Sequence, residues 1–222
     1  MSDFYNKRAV DVATYVKRQF GDESGVQITD EDILQWINIA QLELAQENEF
    51  SKKIGTTTLN AGQSEYNFPD YEILYTQTIY VDSKIIKFLT FQEFQEYIQK
   101  KEGYETQGAD IPTVWTEWGG TFTFWPTPKE TKENAIKVYF IAKPIDVNTL
   151  EDSLGVPDRL FSVLLMKVMV HAYQLDEQFD AANLQDQRVS NELGKMAYMP
   201  DRSSINEYHS MTILEPDEYG WQ

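Results

Sequence analysis

Side chains with catalytic or metal-binding potential are few in this chain of 222 residues. It has two histidines, His171 and His209, and no cysteine, which excludes thiol catalysis, disulfides and cysteine metal sites. His171 lies in an apolar stretch with no second histidine at a metal-forming spacing, so we predict a buried, hydrogen-bonded structural histidine. His209 precedes Ser210, but adjacency in sequence does not make a catalytic triad, because triads are defined by fold geometry.

Three acidic pairs are candidates for acid–base catalysis or calcium binding: Asp30/Asp32, Asp176/Glu177 and Asp217/Glu218. The first pair lies in the first turn of a predicted helix, where carboxylates complement the helix dipole. The second pair lies where one predicted helix meets the next. The chain has no Asp-x-Asp-x-Asp-Gly calcium loop and no glycine-rich phosphate loop, dinucleotide fingerprint or zincin motif. We therefore expect structural or solvated acids, and a protein without catalysis, metal or cofactor. A glycosidase with paired carboxylates is the enzyme alternative.

Aromatic residues cluster in one segment: Trp115, Trp118, Phe122, Phe124 and Trp125. The Gly119-Gly120 dipeptide between them predicts a hairpin with a type I′ turn. This turn pairs Trp115 with Phe124 on one face and Val114 with Trp125 on the other. We favour packing inside a small β-domain, since exposed aromatic patches are uncommon on soluble monomers. The alternative is a carbohydrate-binding module that stacks sugars on Trp115, Trp118 or Trp125. Base stacking is not favoured, because the segment has no positively charged groove.

The charge balance is strongly acidic. Asp and Glu number 36 and Lys and Arg 19, so the formal net charge is −17. Such a chain repels phosphate backbones, which argues against ordinary nucleic-acid binding. Two interpretations stay open: a soluble acidic surface, and a surface that must not adhere to nearby nucleic acid. No apolar run approaches the ~20 residues of a membrane span. Residues 1–8 have no apolar run of signal-peptide type, so we expect neither a membrane segment nor secretion.

Apolar spacing predicts helices toward both ends of the chain and strands in the middle. Thr29 and Asp32 form a capping-box-like start for the clearest helix. Gly21 is the expected stop of the helix before it, and Pro157 fits the first position of a long apolar helix after the strands. The predicted helices cover residues 3–20, 30–50, 157–175 and 178–198, with a short one after Thr90. The predicted strands cover residues 54–59, 73–81, 84–89, 114–118, 121–125 and 136–142. Asp82-Ser83 is expected to form a tight turn that joins the second and third of these strands as a hairpin.

Together these elements predict an α+β fold. An antiparallel helical bundle of about four helices carries an inserted small antiparallel β-domain and an extended C-terminal tail. The expected boundaries are 1–50 and 149–199 for the helical bundle domain, 51–148 for the inserted β-domain and 200–222 for the C-terminal arm.

The C-terminal arm is rich in residue types that disordered segments normally lack. Its candidate anchors are Tyr208, Ile213, Leu214, Tyr219 and Trp221. These residues can cover the chain's own helices, or dock on a neighbouring chain as a strand or an extended arm. We favour docking, because the predicted helices already have complete apolar faces.

Several local patterns, in their order and spacing, resemble the head-to-tail adaptor (connector) proteins of tailed phages. The matching stretches are Glu31 to Phe50, Thr58-Leu59 with Tyr66-Asn67-Phe68-Pro69, Val81-Asp82-Ser83-Lys84 with Leu89-Thr90 and Phe94, Phe124-Trp125-Pro126-Thr127-Pro128, Val138-Tyr139 to Pro144, and Val156-Pro157. Phe68 stands where the family usually has leucine, and Ser83 where it usually has glycine. The resemblance covers about residues 28–198. The chain most resembles the portal adaptors of short-tailed phages, the tail tubular protein A type.

This resemblance implies a structural protein of the virion neck or tail, synthesised in the host cytoplasm. Family members form a ring, usually of twelve copies, beneath the portal protein of the capsid. The ring extends the DNA channel toward the tail tube or nozzle proteins, and phage DNA passes without specific binding, which an acidic wall would suit. C-terminal segments of the family commonly grip the portal. In this sequence that segment corresponds to residues 200–222.

Overall fold

The computed structural model describes residues 7–101 and 111–197. In these two ranges the helices are α1 (Ala9–Phe20), α2 (Asp30–Asn48), α3 (Phe91–Lys101), α4 (Phe161–Leu175) and α5 (Phe179–Ala197), with a 3₁₀ turn, Asp158–Leu160, before α4. The strands are β1 (Lys52–Leu59), β2 (Glu65–Tyr66), β3 (Ile73–Val81), β4 (Lys84–Phe88), β5 (Val114–Trp118), β6 (Thr121–Trp125) and β7 (Lys132–Ala142). Within this part of the chain, no helix is long and apolar enough to cross a membrane.

Short-range signals define the junction between the first two helices. Gly21 ends α1 in the left-handed conformation, with φ of 67°, which glycine adopts without strain. Thr29 and Asp32 make the predicted capping box at the start of α2. The Thr29 hydroxyl accepts from the Asp32 N–H at 3.2 Å, and the Asp32 carboxylate accepts from the Thr29 N–H at 3.1 Å. The predicted stop and start are therefore both confirmed.

Other helix ends differ from the prediction by a few residues. α2 ends at Asn48 rather than at Phe50, because Glu49 turns the backbone into the left-handed region at φ of 50°. Pro157 precedes a 3₁₀ turn, and α4 begins only at Phe161. The predicted beginning of the first helix, at residue 3, lies outside the described residues.

The four helices outside the sheet share one apolar core. Buried residues from α1, α2, α4 and α5 and from the segments between them form this core: Ala9, Val12, Ala13, Val16, Ile28, Ile33, Ile37, Ala40, Leu44, Val147, Val163, Leu164, Val168, Met169, Ala172 and Val189. α4 contacts each of the other three helices. Its sequence is apolar nearly all round, and such a helix is stable only when neighbours surround it.

The predicted four-helix bundle with a small antiparallel β-domain is wrong. The seven described strands form one sheet, curled as a half-barrel, in the order β1-β7-β3-β4-β5-β6-β2. A fifth helix, α3, packs on β5 of this sheet. In addition, β4 and β5 run parallel. The physical reason is the helix between them, because a crossover through a helix returns the chain in the same direction, whereas a tight turn reverses it.

Both hairpins predicted from their turn residues are confirmed. Asp82 and Ser83 join β3 to β4 with positive φ angles of 50° and 65°, as a type I′ turn requires. The Gly119-Gly120 turn joins β5 to β6 in the predicted register, with Trp115 opposite Phe124 and Val114 opposite Trp125. Turn chemistry therefore determined the register of both strand pairs.

The curled sheet has an inner face that forms a second core. Its buried residues are Leu59, Tyr66, Ile79, Val81, Ile86, Trp115, Phe122, Phe124, Ile136, Val138, Phe140 and Ala142. On the outer face, Phe94 of α3 covers Val114 of β5, with Trp125 of β6 packed beside them. The outer face is therefore covered at the β5–β6 end of the sheet.

Candidate interaction surfaces

The most buried charged group in the described residues is Lys167, on α4. Its Nζ donates to Glu43 Oε2 at 2.9 Å and to Glu47 Oε1 at 3.1 Å, both on α2. Burial disfavours the ammonium, but the two hydrogen bonds and the two negative charges outweigh burial and raise the pKa of Lys167. A nucleophilic or general-base lysine needs a depressed pKa. Lys167 is therefore suited to holding α2 against α4, not to catalysis, and the sequence analysis did not single it out.

His171 lies one turn further along α4 and is half-buried rather than buried. Its ring stacks on Trp36 of α2, with centroids 6.4 Å apart and an interplanar angle of 18°. Burial lowers the pKa of His171, against opposing contributions from Glu43 and from a hydrogen bond with Gln174. A cleft of about 240 Å³ opens beside it, lined also by Asp186 of α5. The imidazole therefore packs against an aromatic ring, and its burial disfavours the protonated form.

The two acidic pairs within the described ranges have structural partners. Asp32 caps α2, and Asp30 forms a 2.6 Å ion pair with Lys17 of α1. Asp176 accepts a hydrogen bond from Gln27 Nε2 at 3.0 Å. Across residues 7–101 and 111–197, no group of three or more His, Asp or Glu side chains is placed to hold a metal ion. The third pair, Asp217 and Glu218, lies outside the described residues.

A carboxylate that the sequence analysis missed organises the loop between α1 and α2. Asp22 accepts hydrogen bonds from the backbone N–H groups of Val26, Gln27 and Ile28, at 2.8–3.1 Å, and from the Ser24 hydroxyl. The Ile28 N–H, with smaller contributions from the other donors, lowers the pKa of Asp22 to about 2 against the opposing effect of burial. The available signal was an aspartate directly after a helix-ending glycine, a typical turn position.

The aromatic cluster is mostly core. Trp115, Phe122 and Phe124 are buried on the inner face, and Trp125 packs edge-on against Tyr97 of α3. Trp118 differs, because it is 67% exposed. Its ring lies 4.9 Å from that of Phe91, which is also exposed. Core packing therefore holds for four of the five residues, and the sugar-stacking alternative is left with Trp118 alone.

The predicted anchors of the C-terminal arm are not in the described part of the chain. Tyr208, Ile213, Leu214, Tyr219 and Trp221 all lie beyond residue 197, as does His209. Their role in partner binding stays a prediction.

The strand register defines a second candidate interaction surface, on the outer face of the sheet. Thr56, Lys137, Tyr80 and Ile85 lie opposite one another across β1, β7, β3 and β4, and directly opposed residues share a face of the sheet. Ile54 and Tyr139 form the neighbouring row, and the rings of Tyr80 and Tyr139 are 5.3 Å apart. We call these six residues the outer patch: Ile54, Thr56, Tyr80, Ile85, Lys137 and Tyr139.

The outer patch has the composition of a protein-binding surface. Ile54 and Ile85 are 53% and 64% exposed, Thr56 and Lys137 are exposed, and the two tyrosines are half-buried. Tyrosine and aliphatic side chains are common at the centre of protein–protein interfaces. The exposed Lys52 and Lys87 continue the same face along β1 and β4, so the patch has a positively charged border.

Comparison with known proteins identifies the family. A family model described as SU10 adaptor protein matches residues 8–211, which is most of the chain. No curated protein matches the chain. The match agrees with the resemblance to phage head-to-tail adaptors that the sequence motifs indicated, and it confirms that identification. The chain therefore belongs to the SU10 adaptor protein family of phage adaptors.

Proposed function

We propose that this protein is a structural component of the virion neck that joins the capsid portal to the tail. Copies of the chain, twelve in the family's usual form, assemble as a ring beneath the portal and extend the DNA channel toward the tail tube or nozzle proteins. The chain is synthesised in the host cytoplasm and carries out no catalysis. The observation that supports this proposal is the family match over residues 8–211.

The proposed division of the chain into three parts follows the boundaries predicted from the sequence. Residues 1–50 and 149–199 form the helical part, residues 51–148 the sheet part, and residues 200–222 the arm. The separation of the apolar residues into one core among the helices and another inside the sheet supports this division. In the arm, Tyr208, Ile213, Leu214, Tyr219 and Trp221 bind the portal or a neighbouring subunit.

The proposed ring lets DNA pass without binding it. The support is the charge distribution, because residues outside 51–148 contain 23 Asp and Glu against nine Lys and Arg. Carboxylates facing the channel repel the phosphate backbone and keep DNA from adhering. Replacing exposed helical acids with lysine should then slow genome ejection from particles. Unchanged ejection kinetics in such variants would count against a repulsive wall.

The deciding experiment is quantitative mass spectrometry of purified particles of the phage that encodes this chain. A ratio near one copy per portal subunit supports a matching ring. Absence of the chain from particles overturns the proposal. A large excess over portal indicates a tail-tube or decoration component instead, and favours the carbohydrate-binding alternative at Trp118.

The arm is tested separately by deleting residues 200–222 and measuring binding to purified portal protein. Loss of portal binding by a chain that keeps its thermal unfolding transition supports the assigned role. Undiminished binding overturns the assignment of the arm and leaves the ring proposal standing.

A further inference from the structure

Positive and negative residues are unevenly distributed between the two parts of the chain. Residues 51–148 contain ten lysines against 13 Asp and Glu, while the remainder contains nine Lys and Arg against 23 Asp and Glu. A contact between the helical surfaces of two copies therefore opposes like charges. The sheet part has an excess of only three acids, so a contact between the sheet of one copy and the helices of another avoids most of this repulsion, and it brings opposite charges together where lysines are exposed on the sheet.

The helical part offers one exposed site with the complementary composition. Leu175 ends α4 and Phe179 begins α5, and these side chains are 51% and 61% exposed. Leu184, further along α5, is 53% exposed. The acids Glu177 and Asp180 are exposed among them. We call these five residues the acidic corner: Leu175, Glu177, Phe179, Asp180 and Leu184.

We propose that the outer patch of one subunit binds the acidic corner of the next subunit in the ring. This inference rests on the proposed ring function and names the surfaces that close it. Ile54 and Ile85 meet the apolar side chains of the corner, and Lys137 lies among its carboxylates. Because two different surfaces are joined, the contact is head-to-tail, and head-to-tail contacts are the kind that generate rings.

The absence of cysteine from the sequence permits a direct test. The full-length chain carrying both Lys137→Cys and Asp180→Cys is treated with a short bismaleimide, alone and mixed with the phage's portal protein. The proposal predicts a ladder of dimers, trimers and larger products on a denaturing gel. An equimolar mixture of the two single-cysteine chains should stop at dimers, because each copy then has one reactive surface. The chain carrying Lys129→Cys and Asp180→Cys is the control, and should give no ladder.

Charge reversal tests the same contact without a cross-linker. Lys137→Glu should raise the concentration needed for half-assembly by about tenfold, because it places like charges together. The double variant Lys137→Glu/Asp180→Lys keeps the net charge at −17 and should recover assembly. Lys129→Glu changes the net charge as much as Lys137→Glu at an exposed position in the turn before β7, and should leave assembly unchanged. Far-UV circular dichroism checks that each variant is folded.

The outcomes separate the two proposals. A cross-linked ladder together with recovery in the double variant supports the interface. Rings seen by mass photometry without a ladder, and with Lys137→Glu behaving like Lys129→Glu, overturn the interface while the ring function stands. Intact rings that lose only portal or tail binding in Lys137→Glu assign the outer patch to another protein and also overturn the interface. A chain that stays monomeric with and without portal overturns both.

Discussion

Replacing Lys167 with methionine removes the cation that links α4 to α2 and leaves Glu43 and Glu47 without their shared partner. Lys167 is only 8% exposed, and its ammonium nitrogen lies within 3.1 Å of a carboxylate oxygen of both Glu43 and Glu47. Methionine has nearly the length of the lysine stem and fills similar space, so packing against the neighbouring apolar residues is largely kept. The substitution therefore tests the charged contacts rather than the shape of the core.

The expected loss follows from the exposure of the three groups. A hydrogen bond to a charged group contributes about 1.5–3 kcal/mol, so two of them set an upper bound of roughly 3–6 kcal/mol. The Glu43 and Glu47 side chains are 43% and 45% exposed and regain water once the ammonium is gone. The desolvation cost of burying Lys167 also disappears. We therefore expect a destabilisation of about 1–2 kcal/mol, below the 3–5 kcal/mol of a fully buried pair that loses one partner.

Urea unfolding at pH 7 measures this loss as a lower midpoint with an unchanged slope. Lys195→Met is the matched control, because Lys195 pairs with Glu192 on α5 at 67% exposure and should change stability by less than about 0.5 kcal/mol. A Lys167→Met protein as stable as the unaltered chain would show that desolvation cancels the two hydrogen bonds. A loss above about 4 kcal/mol would show that the carboxylates do not regain water. Either result refutes the reasoning.

Three further changes test other parts of the structure. Asp22 has a folded-state pKa of about 2, below its ordinary value of 3.8, so the stability it contributes is complete above pH 4 and is lost as the pH falls through 2. Asp22→Asn should therefore make the free energy of unfolding depend less on pH in the acid range, measured as urea midpoints between pH 2 and 5. An unchanged pH dependence would contradict the assignment. Thr29→Ala removes the hydroxyl that caps α2 and should lower the free energy of unfolding, measured by thermal unfolding, by about 1 kcal/mol, whereas Thr29→Ser should be nearly neutral. Equal losses of stability in the two variants would indicate that the methyl group of Thr29, not its hydroxyl, stabilises the helix. Phe122→Ala should lower the free energy of unfolding by about 3–5 kcal/mol because Phe122 is 1% exposed, while Trp118→Ala should change it by no more than about 0.5 kcal/mol. Similar losses of stability in both variants would argue that Trp118 is not the exposed residue of the cluster.

The features that the sequence predicted correctly depend on residues close together along the chain. The Thr29–Asp32 cap and the Gly21 stop each involve a few consecutive positions. The same holds for the two hairpins, where two turn residues determine the register of the strands around them. In each case the deciding backbone conformation is set by the local residues, so no knowledge of the rest of the fold was needed.

The features that the sequence missed join residues far apart. The parallel pairing of β4 with β5 depends on where α3 packs, and the apolar residues of α3 predict a helix without saying which strand it covers. Lys167 stands in a run of apolar residues, and its pairing with Glu43 and Glu47 spans more than a hundred positions. Such contacts become visible only when the elements are placed relative to one another.

The surface proposed to close the ring belongs to this second class for a specific reason. Tyr80, Ile85 and Tyr139 each adjoin a buried residue, Ile79, Ile86 and Val138, so β3, β4 and β7 carry apolar side chains on both faces. In a sheet buried on both sides that pattern is ordinary, and the sequence alone favours packing on each side. Within residues 7–101 and 111–197, α3 covers the outer face over β5 and β6, whereas Ile54, Ile85 and Lys137 of the outer patch are exposed. An apolar face of this kind is available to bind a second surface, and under the proposed ring function another subunit supplies it.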